Sequence, residues 1–470
     1  MTRTSLRPED DQRTPPAARR PAPDLLAAAA AVLLFAAAVL IGRHIEDTDG
    51  TLFVGWPPLL AWWGPHWGPG TPAAVLVAVA VVAYAPTLAA RLPWRALLAT
   101  AWATALAWTW SLALVDGWHR GVARRLTTRY EYLQVIDRFH DIPAALATFT
   151  DHILIQAPAT DHWPAHIAGH PPAATVTFVL LDRIGLRGGG WAGVWCITVG
   201  TTAVLAVLVA VRALAGESPA RRAAPFLVLV PGAVWMGTSA DAYFAAVAAW
   251  SVALLALAVT ARTPGRARAA LFGSGLLFGL TCYLSYGLTL VAVILAGVLL
   301  IARDRVRGLL PGVPYALAGL VVVPLVFTLY GFDYWEAYHL LVERYNQGAG
   351  GTRPYGYWVW ANLACTVLVV GLATVAGLRR TGATLLRRRR DLLTDPSVPE
   401  VRLSLLVCAA LLALLVADLS GMSKAETERI WLPFALWLLP ACAFLPRPRA
   451  WLPAQAVVAL LVNHLLRTGW

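Results

Sequence analysis

Apolar runs, most of them about twenty residues long, recur along almost the whole chain, separated by short polar pieces, and are tested as bilayer crossings. Runs at 24–43, 72–91 and 96–115 predict three spans. After a long polar stretch come 191–213, a short 224–236, 240–261, 270–286, 288–302, 309–330, 358–378, 402–418, 431–445 and 450–467. That makes about thirteen crossings. Lipid cannot satisfy open backbone groups, and the runs lack the alternation of barrel strands. The predicted fold class is therefore all-α, a polytopic transmembrane helical protein. One apolar stretch is too short for this scheme: Pro171–Leu181 ends at Asp182-Arg183 after about ten residues, where a span needs about twenty. A re-entrant or interfacial helix is expected there.

The arginines set the orientation. Arg91 and Arg95 lie between the second and third runs and several arginines precede the first, so the positive-inside rule puts the N-terminus in the cytoplasm. Letting Pro171–Leu181 cross would move Arg212, Arg221 and Arg222 outside. Keeping it re-entrant leaves them inside, with Arg262, Arg266, Arg268, the 303–307 cluster, Arg379, Arg380 and Arg387–Arg390. The expected organisation is a disordered cytoplasmic tail at 1–23, a two-span extension at 24–95 and a transmembrane core at 96–470. Outer loops fall at 116–172, 331–357 and 419–430.

Composition narrows the function classes. Mean hydropathy is +0.62 and charged residues make up only 14% of the chain, which identifies a membrane protein. The net charge of +12 resembles a nucleic-acid signal, yet the arginines cluster between apolar spans, so no nucleic-acid partner is expected. Arginine far above lysine, with many Ala, Leu, Val and Trp, is the composition of a GC-rich bacterium, and a multi-pass plasma-membrane location is expected. Cys196, Cys282, Cys365, Cys408 and Cys442 all lie in or beside apolar runs. They give neither a disulfide framework nor a zinc site, and no cofactor is expected.

The loop 116–172 concentrates the chemistry. It holds Asp116, Glu131, Asp137, Asp141, Asp151, Asp161 and six of the ten histidines, and it closes on Trp163-Pro-Ala-His-Ile-Ala-Gly-His-Pro-Pro172. A polar segment of this length between spans is a working loop rather than a connector. His162, His166 and His170 recur at four-residue spacing, but Pro164 and Pro171-Pro172 argue against one helical ligand face, so no metal is assigned.

These pieces resemble the C-type (GT-C) membrane glycosyltransferases, with protein O-mannosyltransferases and aminoarabinose transferases as the nearest patterns. In those families a carboxylate beside an aromatic lies in the first outer loop, and the loop ends in His-Pro-Pro or Lys-Pro-Pro. The matching pieces are Tyr130-Glu131-Tyr132-Leu133 and Gly169-His170-Pro171-Pro172. Glu428-Arg429-Ile430-Trp431-Leu432-Pro433 is similar to the family's Arg-Tyr-x-x-Pro element, with Ile in place of Tyr. Ser239-Ala-Asp241-Ala-Tyr243-Phe244 resembles its mid-chain Asp. Two departures stand out: Tyr130 replaces an Asp before Glu131, and Ala173 follows Pro172 where Leu or Gly is usual.

The resemblance implies an enzyme whose acceptor hydroxyl attacks a sugar carried on a polyprenyl phosphate, with inversion at the anomeric carbon, at the outer face. Its partners are then that lipid-linked donor, a glycan, lipid or protein acceptor, and membrane lipid. Glu131 is the first choice for the base and Asp116 the second. Arg429 is assigned to phosphate, with Lys424, Arg344 and Arg353 assisting, and His170, Tyr132 and Asp241 as further site residues. Plainer readings stand beside these: Glu131 as a solvated loop carboxylate, Arg429 as a snorkelling anchor, Asp241 as a helix cap, and His-Pro-Pro as a helix start. At the level of the whole chain the alternatives are a transporter or flippase for a lipid-linked or small polar substrate, and a non-catalytic envelope scaffold. Acidic groups gathered outside, with span centres nearly free of charge, favour the enzyme.

Overall fold

A computed structural model describes residues 22–156, 161–391 and 398–469. The expected tail at 1–23 falls almost entirely outside these residues.

Among the described residues, eight helices are long and apolar enough to cross a membrane, and one bent pair makes a ninth. The chain begins with α1 (Ala22–Asp49), α2 (Thr71–Arg91) and α3 (Trp94–Asp116). Pro72 suits the first turn of α2, where no partner is needed for its missing N–H, and Pro93 ends the helix. After the long loop comes α4 (Ala173–Arg183), then α5 (Gly188–Ala215) and α6 (Glu217–Val228). The central helix α7 (Ala240–Val259) is buried along most of its length and packs on α5 and on α8 (Pro264–Leu284). The shorter α9 (Tyr286–Ile301) leads to α10 (Val306–Leu329). Small residues let α10 lie close to α8: the Cα of Gly319 faces the carbonyl of Phe272, and that of Gly275 faces the carbonyl of Ala316. The amphipathic α11 (Tyr334–Gln347) precedes α12 (Tyr355–Val370), α13 (Leu372–Arg387) and α14 (Pro399–Leu419). A one-turn helix, α15 (Thr427–Ile430), and the final α16 (Pro448–Leu465) complete the set.

Three expected spans differ in form. The 358–378 run breaks at Gly371, where φ is +79° and α12 and α13 meet at 108°. Gln455 on α16 makes this break tolerable, its Nε2 donating to the carbonyl of Val370 at 2.8 Å and its Oε1 accepting from the N–H of Ala373 at 3.3 Å. One buried amide thus satisfies backbone on both sides of the bend. The 224–236 run splits between α6, which contains Pro225, and a separate turn, Ala233–Met236. The 431–445 run is likewise cut into Leu432–Ala435 and a 3-10 turn at Leu439–Phe444, each with a proline near its start. These short pieces are buried inside the bundle, where neighbouring helices can cover irregular backbone.

α4 has 11 residues, which at 1.5 Å per residue is about half of a 30 Å hydrocarbon core. It packs on the 3-10 helix Tyr132–Phe139 and so holds the middle of the long loop against the bundle. Polar segments far apart in the sequence meet at one end. The N–H of Leu60 donates to Glu428 at 3.2 Å, Arg353 donates to the carbonyl of Leu52 at 2.9 Å, and the N–H of Ile155 donates to Gln347 at 2.8 Å. There the strand β1 (Ala61–Trp63) pairs antiparallel with β2 (Leu466–Thr468), joining the first loop to the last residues described. Towards the other end of α1, Asp24 accepts from Arg380 Nε at 2.8 Å and pairs with Arg379 at 2.9 Å, fixing α1 to α13.

Candidate active site at the loop end of the bundle

Glu131 stands in extended backbone just before the 3-10 helix Tyr132–Phe139 and is 3% exposed, so it is a buried residue rather than a solvated loop carboxylate. Its Oε1 lies 2.9 Å from Nδ1 of His166. The two segments are stitched together one residue away, where the N–H of His166 donates to the carbonyl of Tyr130 at 3.1 Å. Oε2 of Glu131 is buried and has no hydrogen-bond partner among the described residues.

His166 sits in a single turn, Ala165–Ala168, that Pro164 introduces. Its Nε2 faces Nη2 of Arg429 at 3.0 Å. Arg429 is itself set by an unusual backbone: Ala425 and Glu426 both adopt left-handed conformations, with φ of +73° and +61°, immediately before α15. Such conformations are costly for residues with a Cβ and cluster at functional sites. They turn the chain so that Arg429 points inward, 6% exposed, with Nη1 2.6 Å from Asp241 Oδ2 and Nη2 2.8 Å from Glu426 Oε2. Burial works against the guanidinium charge, but Asp241, Glu426 and Glu131 outweigh it and hold Arg429 more firmly cationic than usual. In the same way burial would raise the Glu426 carboxyl, and Arg429 and Arg353 reverse that and keep it below its ordinary value.

Asp241 lies in the first turn of α7, and Arg429, not a backbone N–H, is its partner. The expected capping role is therefore replaced by an ion pair, because the helix start is buried against α15. His170 donates from Nδ1 to the carbonyl of His166 at 2.7 Å, leaving Nε2 as an acceptor. Burial pushes its imidazole down to about 4, with Asp241 opposing the shift and Arg429 adding to it, so the ring is neutral at pH 7. Tyr132 packs between His170, at 5.8 Å between ring centroids, and Phe178, at 5.2 Å. Burial, then the charges of Glu131 and Asp241, raise its phenol well above the usual range and keep it protonated.

Arg353 and Lys424 border this group. Arg353 donates to the carbonyl of Lys424 at 2.7 Å and stands 4.0 Å from Glu426 Oε1, while Lys424 Nζ donates to the carbonyl of Gly350 at 2.8 Å. The structure does not bring Asp116 or Arg344 into the cluster by direct contact. Asp116 is clamped by Arg125 at 2.8 Å and by Arg120 and His66, each at 3.2 Å, and Arg125 also donates to the carbonyl of Thr468 at 3.0 Å. Arg344, half-buried on α11, reaches the carbonyl of Trp163 at 3.5 Å.

Two members of the cluster were not singled out from the sequence as site residues: His166 and Glu426. Their spacing carried a signal, since His166 lies four residues before His170 and Glu426 three before Arg429. A further carboxylate, Glu428, is fully buried, accepts from the N–H of Leu60, and is raised by burial to about 7. An apolar groove between α2, α3 and α6 is lined by residues such as Tyr84, Leu88, Leu97 and Pro225, and none of the cluster lines it.

No family model and no curated protein matches the chain. Among solved structures it is similar to ArnT from Cupriavidus metallidurans bound to undecaprenyl phosphate, with 16% identity, a TM-score of 0.47, and coverage of 71% of this chain and 59% of that one. It is also similar to the apo oligosaccharyltransferase of Archaeoglobus fulgidus, with 14% identity, a TM-score of 0.43, and coverage of 79% and 50%. The chain thus spans about six tenths and one half of the length of these proteins.

Proposed function

We propose that this chain is an integral membrane glycosyltransferase of the C-type, taking a sugar from a polyprenyl-phosphate donor at the outer face of the plasma membrane and passing it to a cell-envelope acceptor. The observation that carries this reading is the buried run of contacts from Glu131 through His166 to Arg429, at the end of the bundle where the polar loops meet. A carboxylate with one oxygen pinned and the other without a partner is suited to accept a proton. A neighbouring group of cations, Arg429, Arg353 and Lys424, is suited to a departing phosphate.

In the reaction, Glu131 Oε2 takes the proton of the acceptor hydroxyl while the oxygen attacks the anomeric carbon. The bond from that carbon to the phosphate oxygen breaks, and its electron pair leaves with the lipid phosphate. Attack from the side opposite the leaving group inverts the anomeric centre. Two carboxylates, Asp241 and Glu426, already pair with Arg429, so an incoming phosphate must displace one of them. Glu426 is the one that yields, because its side chain is 25% exposed against 6% for Asp241. Lys424 and Arg353 then hold the phosphate beside Arg429. Asp116, held by two arginines and a histidine, is assigned to shape rather than chemistry.

The test is transfer from a labelled polyprenyl-phosphate sugar extract to envelope acceptors by the full chain in liposomes. Transfer above protein-free liposomes supports the reading. A chain that binds no polyprenyl phosphate and transfers no label contradicts it.

A further inference from the structure

A guanidinium has only N–H donors, so the ring nitrogen of His166 that faces Arg429 at 3.0 Å must be an acceptor. In a neutral imidazole the proton then resides on Nδ1, and Nδ1 lies 2.9 Å from Glu131 Oε1. Arg429 therefore fixes the tautomer of His166, and that tautomer makes Nδ1 the donor to Glu131 Oε1. The remaining carboxylate oxygen, Oε2, is the one without a partner. Pro164 and the bond from the N–H of His166 to the carbonyl of Tyr130 fix the backbone that carries the ring. His170 holds it from the other side by donating to the carbonyl of His166.

We infer that His166 is the positioning residue of the base: held in its Nδ1-protonated tautomer by Arg429, it orients Glu131 with Oε1 pinned and Oε2 left unpartnered to take the acceptor proton. This rests on the assignment of Glu131 as base. It links the two halves of the site, since His166 is oriented by the same Nη2 that contacts Glu426. A phosphate drawn to Arg429 replaces Glu426 and leaves the contact with His166 in place, so the base is oriented with the donor bound.

The two amide replacements separate this role from simple space filling. In His166→Asn the side-chain amide stands where Nδ1–H stands and keeps the donor to Glu131. In His166→Gln the amide reaches the place of Nε2 and loses that donor. With the full chain in liposomes, His166→Asn is expected to retain transfer within several-fold of wild type, whereas His166→Gln and His166→Ala lose about tenfold or more. Binding of undecaprenyl phosphate, used as the probe, should change little in all three. In a Glu131→Gln background, adding His166→Ala should cost nothing further, because the residue acts through the one already removed. Equal losses in the Asn and Gln variants, or a full additional loss in the Glu131→Gln background, would overturn the inference. A different pattern marks failure of the underlying reading: Glu131→Gln then transfers like wild type, whatever happens at His166.

Discussion

At Arg429 a single guanidinium meets Asp241, Glu426 and His166 inside the protein, and its removal exposes the balance between charge and burial. Arg429→Ala leaves buried carboxylates without their counter-ion, a change that typically costs about 3–5 kcal/mol. Arg429→Lys keeps the charge but cannot fork between Asp241 and Glu426. Thermal stability in detergent should fall in the order wild type, Lys, Ala, and binding of undecaprenyl phosphate should weaken in the same order. Unchanged binding in both variants at equal folded levels would leave Arg429 a structural anchor alone. Glu428 gives a pH prediction. Its folded value of about 7 lies above the ordinary 4.5, so the folded state holds the proton more tightly, and stability declines as pH rises from about 4.5 to 7 and stays lower above that. Glu428→Gln should therefore melt higher than wild type by a few degrees at pH 8 and by less at pH 5. An advantage that is the same at both pH values would refute the shift. From sequence, Glu131, Asp241 and Arg429 could be named because each sits in a short recognisable pattern. His166 reads from the sequence only as a member of the four-residue series with His162 and His170, since spacing does not show that Pro164 confines it to one turn. Glu426 depends on the left-handed backbone at Ala425 and Glu426, for which no glycine gave warning.

Among the elements, the long apolar helices followed directly from run length, while the broken ones did not. The 358–378 run reads as one span because hydropathy is insensitive to the sign of φ at Gly371; the break depends on Gln455, more than 80 residues away in the sequence. Gln455→Leu should destabilise the bend by about 1–3 kcal/mol, the cost of leaving buried backbone groups unpaired, and lower the melting temperature in detergent. An unchanged melting temperature would show that other groups close the break. α4 is the opposite case, short in sequence and short in the structure, because Gly185 and Gly188, both with positive φ, bound the turn that follows it. If α4 does not cross, cysteines placed at Gly188 and in the 116–156 loop should both react with membrane-impermeant thiol reagents. A cysteine at Gly188 that reacts only with permeant reagents, while the loop cysteine reacts with both, would make α4 a crossing.

For the whole molecule, four polar segments far apart in sequence converge on one end of the bundle. The contacts Leu60 to Glu428, Arg353 to Leu52 and Tyr357 to Ala38 tie the first helices into it. The 24–95 region, expected as an extension, thus contributes backbone that borders the site. This convergence gives Glu131 and Arg429 a common setting, and the central claim is that Glu131 is the base of a lipid-linked sugar transfer there. The direct measurement is transfer of labelled sugar by Glu131→Gln in liposomes, beside wild type and Asp116→Asn at equal protein levels. Gln keeps the size but cannot take up the acceptor proton. Transfer should fall about 10²-fold or more while undecaprenyl phosphate binding survives, and Asp116→Asn should retain more activity than Glu131→Gln wherever it folds. Near-native turnover in Glu131→Gln would contradict the account, and its combination with abolished turnover in folded Asp116→Asn would move the base to Asp116.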